Sequence, residues 1–391
     1  MRYLVLALGM LANLSQGMAY AGSVIAVPLL AMVGVEADAV KSHWAGIFTL
    51  CILFLPVGMV TAGKLAERFS PRLPIALGAL FYAAGLIASA YVTNYTALCI
   101  TFGVMLSLGS GFAYGPIVAA AVQRFPEKKG LASGLSVSAL GFGPVIIAPV
   151  CSYLLGADYD IKTILIIFGV VTLFTVGSSA LVTGKVSTAP VTGAKAQPQT
   201  AANAPPSLMW NEMIRTGRFW ILFMLLLLGT MPGLMVISGA NGIFQSIGGF
   251  DLKHAAWLVA ALSFANAAGR FLWGTISDYT GRINALAAMF VLCAAAMFLL
   301  PFSQNPTMLI AVIFVIGTTY GGYLGLFPSF CAEAFGLKNM AVNYAVLFIA
   351  FSAAAFAGPR LYASIDQHTA FFVAGALLII GCIGTFMYKK V

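Results

Sequence analysis

The sequence predicts an all-α membrane protein of twelve transmembrane helices arranged as two six-helix bundles. Three observations lead there. Hydrophobic residues make up 61% of the chain and charged residues only 8%, against roughly 25% charged in a soluble domain. The apolar residues fall into runs of about 20, the length that crosses a bilayer core. A short charged loop in the first half also recurs six runs later.

The runs are, in order, 4–31, 44–63, 73–92, 95–121, 130–155, 161–183, 219–246, 255–277, 284–302, 307–331, 340–364 and 369–388. The first opens with Met1 and Arg2, an apolar stretch and then Ala19-Tyr20-Ala21, which also describes a cleavable secretory signal. Removing it would leave eleven runs and unpair the halves, so it is read as a retained span. The first six runs make an N-terminal bundle over 1–183 and the last six a C-terminal bundle over 219–391. Between them, 184–218 is rich in Ala, Pro, Thr and Gln and reads as a flexible cytoplasmic linker.

Placing the N-terminus in the cytoplasm puts 15 of the 20 basic residues on that side: Arg2, Lys64, Arg68, Arg72, Arg124, Lys128, Lys129, Lys185, Lys195, Arg215, Arg218, Arg282, Lys338, Lys389 and Lys390. Lys41, Lys162 and Lys253 face outward, and Arg270 and Arg360 lie in spans. Both termini are therefore expected in the cytoplasm of a cell with this protein in its plasma (inner) membrane. The formal charge of +9 is then topological charge beside anionic lipid, not a nucleic-acid surface.

The recurring loop is Gly63-Lys64-Leu65-Ala66-Glu67-Arg68-Phe69-Ser70-Pro71-Arg72, then Gly274-Thr275-Ile276-Ser277-Asp278-Tyr279-Thr280-Gly281-Arg282. Each has a glycine, an acid four residues later and a basic residue soon after. The glycine lets two helices approach, and the acid can meet helix N-termini or basic residues in one conformation of a moving protein. Glu67, Arg68, Arg72, Asp278 and Arg282 are candidate gating residues. Two parallel six-span halves are the architecture of major facilitator carriers, which hold substrate near the midplane and rock around it.

Arg270 stands alone in the run LVAALSFANAAGRFLWGTISDY, eight residues before Asp278. At 1.5 Å per residue that is roughly 12 Å deep, near the midplane of a bilayer core about 30 Å thick. Arginine cannot shed its charge there, and burying it costs about 2.5 to 3.5 kcal/mol. The eleven acids, Glu36, Asp38, Glu67, Glu127, Asp158, Asp160, Glu212, Asp251, Asp278, Glu333 and Asp366, all lie at or beyond the ends of the runs. The counter-ion is expected to be a small anionic substrate.

The stretch LGSGFAYGPIVAAAVQRFPEKKGLASGLSVSALGFGP resembles the fourth and fifth spans of the monocarboxylate carrier and oxalate/formate exchanger branch of the major facilitator superfamily. FANAAGRFLWGTISDYTGR and FGLKNMAVNYAVLFIAFSAAAFAGP resemble its eighth and eleventh spans. The resemblance implies that Arg270 binds the substrate carboxylate. Two departures stand out. Animal monocarboxylate carriers have an aspartate one turn before that arginine, where this chain has Asn266. Oxalate exchangers carry a lysine in the eleventh span, at a place that falls at or near Phe351. One guanidinium here matches one carboxylate, and a dicarboxylate would leave its second charge against a ring.

Other polar residues at similar depth complete the expected site. Asn266 shares the face of Arg270 at i−4. Asn13, Gln16 and Tyr20 are spaced i, i+3, i+7 on one face of the first span. Tyr114 and Tyr323 lie about 15 Å from Arg124 and Glu333. Interhelical hydrogen bonding is the alternative for each, at about 0.6 kcal/mol per contact. Arg360, near the outer end of the eleventh span, is expected to be an outer gate or anchor, snorkelling or paired with Asp366. His43, His254 and His368 lie near outer span ends.

The six cysteines, Cys51, Cys99, Cys151, Cys293, Cys331 and Cys382, lie in separate runs without metal spacing and read as packing residues. Gly109-Ser110-Gly111 and Gly115-Pro116 sit inside a helix, so they read as close packing and bending, not a nucleotide loop. No convergent set of acids, histidines and nucleophiles appears, and no enzyme activity or cofactor is expected. The expectation is a monomeric carrier of small monocarboxylates of the lactate or pyruvate kind, coupled to protons and working by alternating access. Exchange of the oxalate/formate type is the variant, and a non-transporting membrane sensor is the less favoured reading.

Overall fold

The computed structural model describes residues 1–184, 207–249 and 252–389, without the side chains of residues 19–23, 41, 241–242 and 252–257. The chain runs through α1 (Arg2–Ser15), α2 (Gly22–Ala31), α3 (Val40–Arg68), α4 (Arg72–Ser89), α5 (Tyr95–Leu98), α6 (Leu106–Arg124), α7 (Lys129–Gly156) and α8 (Ile161–Val182). It continues through α9 (Trp210–Met213), α10 (Gly217–Gly248), α11 (Leu252–Thr280), α12 (Arg282–Leu299), α13 (Pro306–Phe335), α14 (Met340–Ser364) and α15 (Gln367–Tyr388). There is no strand among the described residues.

Ten helices are long and apolar enough to cross a membrane. One of them is a single rod in which a π-helical segment, Cys99–Met105, joins α5 to α6. The remaining two traverses, α1 with α2 and the 29-residue α11, are consistent with twelve spans. The fold is an all-α membrane protein, as the hydrophobic runs predict.

The first run is not the single helix that its composition predicts. It winds into a 3₁₀ segment, Gln16–Ala21, before α2 begins. A Cβ at Gly17 would lie 2.6 Å from Gly143 Cα of α7, so the two backbones touch where the helix changes pitch. Polar starts are capped as the sequence allows: Asn94, Asp160, Thr216, Asn305 and Asp366 each accept from a backbone N–H at a helix N-terminus, satisfying donors that a helix cannot bond itself.

Helices α1 to α8 pack mainly on one another and α10 to α15 likewise, and the two groups meet along α7 with α11 and α3 with α14. The largest apolar cluster crosses that seam, joining Leu55, Met59, Tyr114, Val118, Val137 and Leu140 to Phe348, Phe351 and much of the second half. At the end that carries Lys64 and Arg124, the seam is also tied by hydrogen bonds. Gln123 Nε2 donates to Leu337 O at 2.9 Å, and Ser133 Oγ donates to Gly325 O at 2.7 Å.

The segment read as a linker is described only in part. Residues 185–206 lie outside the described residues, but 207–216 are docked. Leu208 N donates to Phe335 O at 3.0 Å. Its carbonyl accepts from the side-chain amides of Asn339 and Asn343, each at 3.0 Å. Met213 is fully buried, and Lys64 Nζ lies 5.1 Å from the Trp210 ring.

Candidate functional site

Arg270 is 6% exposed and reaches from α11 across the seam. Its Nη1 donates to Val137 O of α7 at 3.0 Å, and its Nε donates to Asn266 Oδ1 at 3.2 Å. The salt bridges among the described residues join Arg2 to Glu127 and Arg282 to Asp278 and Glu333. Arg270 is in none of them. Two neutral oxygens share a full positive charge in a buried setting, which leaves room for an anion to compete for the guanidinium.

Small residues let the side chain lie there. A Cβ at Gly141 would stand 3.1 Å from Arg270 Cζ, and one at Gly134 2.6 Å from Arg270 O. On α13, Gly321 and Gly325 meet the backbone of Asn266 and Arg270 in the same way. Ser138 Oγ closes the α7 contact by donating to Ala267 O at 2.9 Å. The α11 backbone is thus held between two glycine-bearing faces, a close approach that any side chain would prevent.

The wall beside the guanidinium is aromatic. Tyr344 of α14 is within electrostatic range of Arg270 and adjacent to Tyr114. Ring centroids are 5.5 Å apart between Tyr344 and Phe348, 6.1 Å between Tyr114 and Phe348, and 4.9 Å between Phe348 and Phe351. Tyr114 and Phe351 are therefore both buried in this cluster, as are Met59 and Leu55 from α3. Tyr344 was not among the residues singled out from the sequence. The signal that finds it is the aromatic stripe Tyr344, Phe348, Phe351 at i, i+4, i+7.

Gln16 borders the same region. It is 2% exposed and lines a cavity of about 30 Å³ between the 3₁₀ segment, α3, α4, α6 and α7. Asn13 does not share its outlook. Its Nδ2 donates to Ser136 O at 2.8 Å and to Ser136 Oγ at 3.2 Å, so it ties α1 to α7. The 3₁₀ segment ends the common face at Gln16, and the side chain of Tyr20 lies outside the described ones.

Tyr323 is placed away from Arg270. Its ring is 5.2 Å from that of Phe290 on α12, a Cβ at Gly229 of α10 would lie 2.8 Å from it, and its hydroxyl has no hydrogen-bond partner. The residue looks into the second half. Arg360 is exposed and does not pair with Asp366: Cζ sits 3.4 Å from the Phe356 ring centroid, Nη1 donates to Phe356 O at 3.2 Å, and Asp366 caps α15 instead.

The two recurring loops differ. Asp278 Oδ1 and Oδ2 accept from Gly130 N and Leu131 N at the start of α7, both at 2.8 Å. Arg282 Nη2 donates to Asp278 Oδ1 at 2.7 Å and to Glu333 Oε1 at 2.8 Å. Glu67 is exposed, with Lys64 and Lys338 as its charged neighbours. Arg68 lies over its neighbour Phe69, and Arg72 is exposed.

The Major Facilitator Superfamily profile matches residues 9–359. The chain is 29% identical to an uncharacterized MFS-type transporter, YhjX, of Escherichia coli, over 81% of this chain and 77% of that one. It is 27% identical to an oxalate:formate antiporter of Oxalobacter formigenes, over 99% and 91%, and 23% identical to monocarboxylate transporter 13 of Bos taurus, over 88% and 80%. Among solved structures, the Major Facilitator Superfamily transporter FucP in its outward conformation superposes with a TM-score of 0.75 at 15% identity, covering 98% of both chains. A double-tryptophan variant of XylE gives 0.78 at 14%, covering 99% and 95%.

Proposed function

The chain belongs to the Major Facilitator Superfamily, and from that premise we propose that it is a secondary carrier of small monocarboxylates, working by alternating access with Arg270 as its carboxylate-binding cation. The observation that carries this reading is the buried guanidinium shared between the two halves and bonded, among the described residues, to neutral oxygens. Relatives named as an oxalate:formate antiporter and a monocarboxylate transporter support a carboxylate as the missing counter-ion.

The geometry suggests how binding would move the protein. A carboxylate takes two parallel hydrogen bonds from one guanidinium. On the Nη1–Nη2 edge it competes with Val137 O for Nη1, and that bond is a tie between α11 and α7. Substrate would therefore exchange a contact between the halves for a contact with itself, shifting the balance between closed and open arrangements by its preference for one of them. Asp278 at the start of α7 is the matching tie at the end of the seam.

Tyr344, which lies near the arginine, packs against Phe348, and Phe348 against Phe351; these rings favour a single carboxylate with a small apolar remainder. A second carboxylate would face rings and lose several kcal/mol of solvation. No acid touches Arg270 among the described residues, so a coupled proton would travel on the substrate or on water. The same fact favours a second reading, carboxylate exchange, because an empty site leaves Arg270 without an anion during reorientation. The same proposal has both termini in the cytoplasm, bundles over 1–183 and 219–391, and a monomer as the working unit.

Uptake of labelled formate, lactate, pyruvate and oxalate into proteoliposomes tests the proposal, with and without an inward proton gradient and with and without internal carboxylate. Stimulation by the gradient is the expected result. Uptake that ignores the gradient yet needs internal anion would replace symport by exchange, and no uptake of any of the four would end the carboxylate reading.

A further inference from the structure

The cavity beside Gln16 is chemically lopsided. Gln16 Nε2 donates to Ala12 O at 3.1 Å, which fixes the amide so that Oε1 is its free end. That oxygen is buried and has no hydrogen-bond partner among the described residues. Three of the donors that line the cavity are already committed. Tyr82 Oη donates to Gln16 O at 2.7 Å, Ser107 Oγ donates to Cys51 O, and Cys51 Sγ donates to Phe102 O at 3.7 Å. Ser110 lines the same space, and its hydroxyl can rotate to donate or accept. The cavity therefore asks for a hydrogen-bond donor.

It also adjoins the arginine site. Ser107, Ser110 and Tyr114 are spaced i, i+3, i+7, so one face of α6 runs from the cavity to the aromatic wall. Leu140 lines the cavity, while Val137 and Gly141, on the same stretch of α7, meet the Arg270 guanidinium. A molecule whose carboxylate is held at Arg270 would direct the group on its next carbon toward Gln16. About 30 Å³ is room for roughly two waters at 10 to 15 Å³ each, enough for one hydroxyl group and one water.

We propose that this cavity is an acceptor subsite for the substituent next to the carboxylate, and that it makes the carrier selective for 2-hydroxy monocarboxylates over 2-oxo and unsubstituted ones. The inference rests on carboxylate binding at Arg270. A hydroxyl donates to Gln16 Oε1 and still accepts from Ser110. A ketone oxygen can use Ser110 alone and sets its lone pairs against Oε1. An unsubstituted acid leaves Oε1 without a partner. The difference in each case is one buried hydrogen bond, about tenfold in apparent affinity.

The test is competition against a labelled carboxylate in proteoliposomes, comparing lactate with pyruvate and glycolate with glyoxylate, and including acetate, for wild type and Gln16→Met. Met keeps the length and volume but has no comparable acceptor. In wild type each hydroxy acid should compete about tenfold better than its oxo partner. Gln16→Met should narrow that ratio to under about threefold by weakening the hydroxy acids, while acetate changes little. A wild-type ratio near one, or one favouring the oxo acids, overturns the subsite, as does a preference that survives in Gln16→Met. If Gln16→Met does not assemble, Ser110→Ala decides: it leaves Oε1 in place and must retain the preference, and its loss there overturns the assignment to Gln16. Transport of carboxylates without hydroxyl preference removes the subsite alone, whereas absence of carboxylate transport removes the proposed function and the subsite with it.

Discussion

Helices α3 and α11 and the loops after them carry the same short charged pattern, yet they do different work. Aligning Gly63 with Gly274 sets Glu67 against Asp278, Met59 against Arg270 and Leu55 against Asn266. In α11 the second pair is polar, and the arginine is bonded across the seam. In α3 the equivalent positions are buried in the apolar cluster that includes Tyr114 and Phe348. One hairpin brings the cation and the other an apolar wall, so duplication of the frame yields a site with a charged side and a greasy side.

The loops diverge for a reason that can be counted. Arg282 follows Asp278 by four residues and shares its carboxylate at 2.7 Å. Arg72 follows Glu67 by five, with Pro71 between, and faces outward. The two arginines also leave their breaks from different backbone: Gly281, with φ 84°, precedes Arg282, whereas Pro71, with φ −56°, precedes Arg72. The second loop is a buried network, whereas the first is a solvated set of charges.

The largest expected effect comes from making α11 like α3 at the site. Arg270→Gln should lower carboxylate uptake at least about 100-fold, because a desolvated charged contact of about 3 kcal/mol is lost, while membrane insertion and expression persist. Arg270→Lys should recover little, since charge remains but the fork is gone. Near-normal uptake by the Gln variant would mean that the polar and apolar hairpins are not the two walls of a site.

Next in size is the contrast between the loops. Asp278→Asn removes the charge that holds two N–H groups of α7 and one arm of Arg282, leaving Arg282 with Glu333. Uptake is expected to fall about tenfold, equivalent to ~1.4 kcal/mol, with a lower thermal midpoint in detergent. Equal loss from Glu67→Gln would break the comparison and show the loops to be functionally alike.

The aromatic side can be sharpened in the gaining direction. Phe351→Lys adds a second cation beside Phe348, and opposite charges about 4 Å apart interact by about 4 kcal/mol at an effective dielectric near 20. Discounting the cost of burying the new charge, the ratio of oxalate to lactate competition should rise about tenfold, with slower lactate uptake. An active variant with an unchanged ratio would show that Phe351 points away from the substrate or that shape sets selectivity.

Much of this was legible from sequence because the membrane limits what a residue can do. The runs predicted the helices, and among the described residues no ion pair includes Arg270. Depth was easier to read than rotation. Tyr323 was assigned to the cavity from its distance to Glu333, but Gly317, Gly321 and Gly325 mark the face of α13 that meets α11. Two residues past Gly321 is about 200° around the helix, so Tyr323 had to look the other way. Tyr344 was missed because it sits only four residues inside α14, where depth alone suggests an interface. The break after Ser15 was hidden because a 3₁₀ segment in an apolar run leaves no polar mark.

The smallest expected effect belongs to Glu67 itself. Its charged neighbours are Lys64 and Lys338, and exposed ion pairs are worth about 0 to 1 kcal/mol, so Glu67→Gln should change uptake by less than about twofold. The start of α14, which Asp278 would suggest as the place for Glu67 to dock, is held instead by the segment after the linker. Asn339 and Asn343 both donate to Leu208 O, and Trp210 lies beside Lys64. Asn343→Leu should therefore cost more than Glu67→Gln in thermal stability, because it removes a buried bond that leaves Leu208 O with one donor. Trp210→Ala should fall between them, losing a cation–π contact of about 0.5 to 1 kcal/mol. The same three variants measured for uptake and for melting separate two accounts of the first loop. If Glu67→Gln alone slows transport without lowering the melting temperature, Glu67 engages α14 in another conformation of the cycle, and the difference between the hairpins is one of timing; if the ranking holds in both measurements, the docked segment has taken over the task that Asp278 performs at α7.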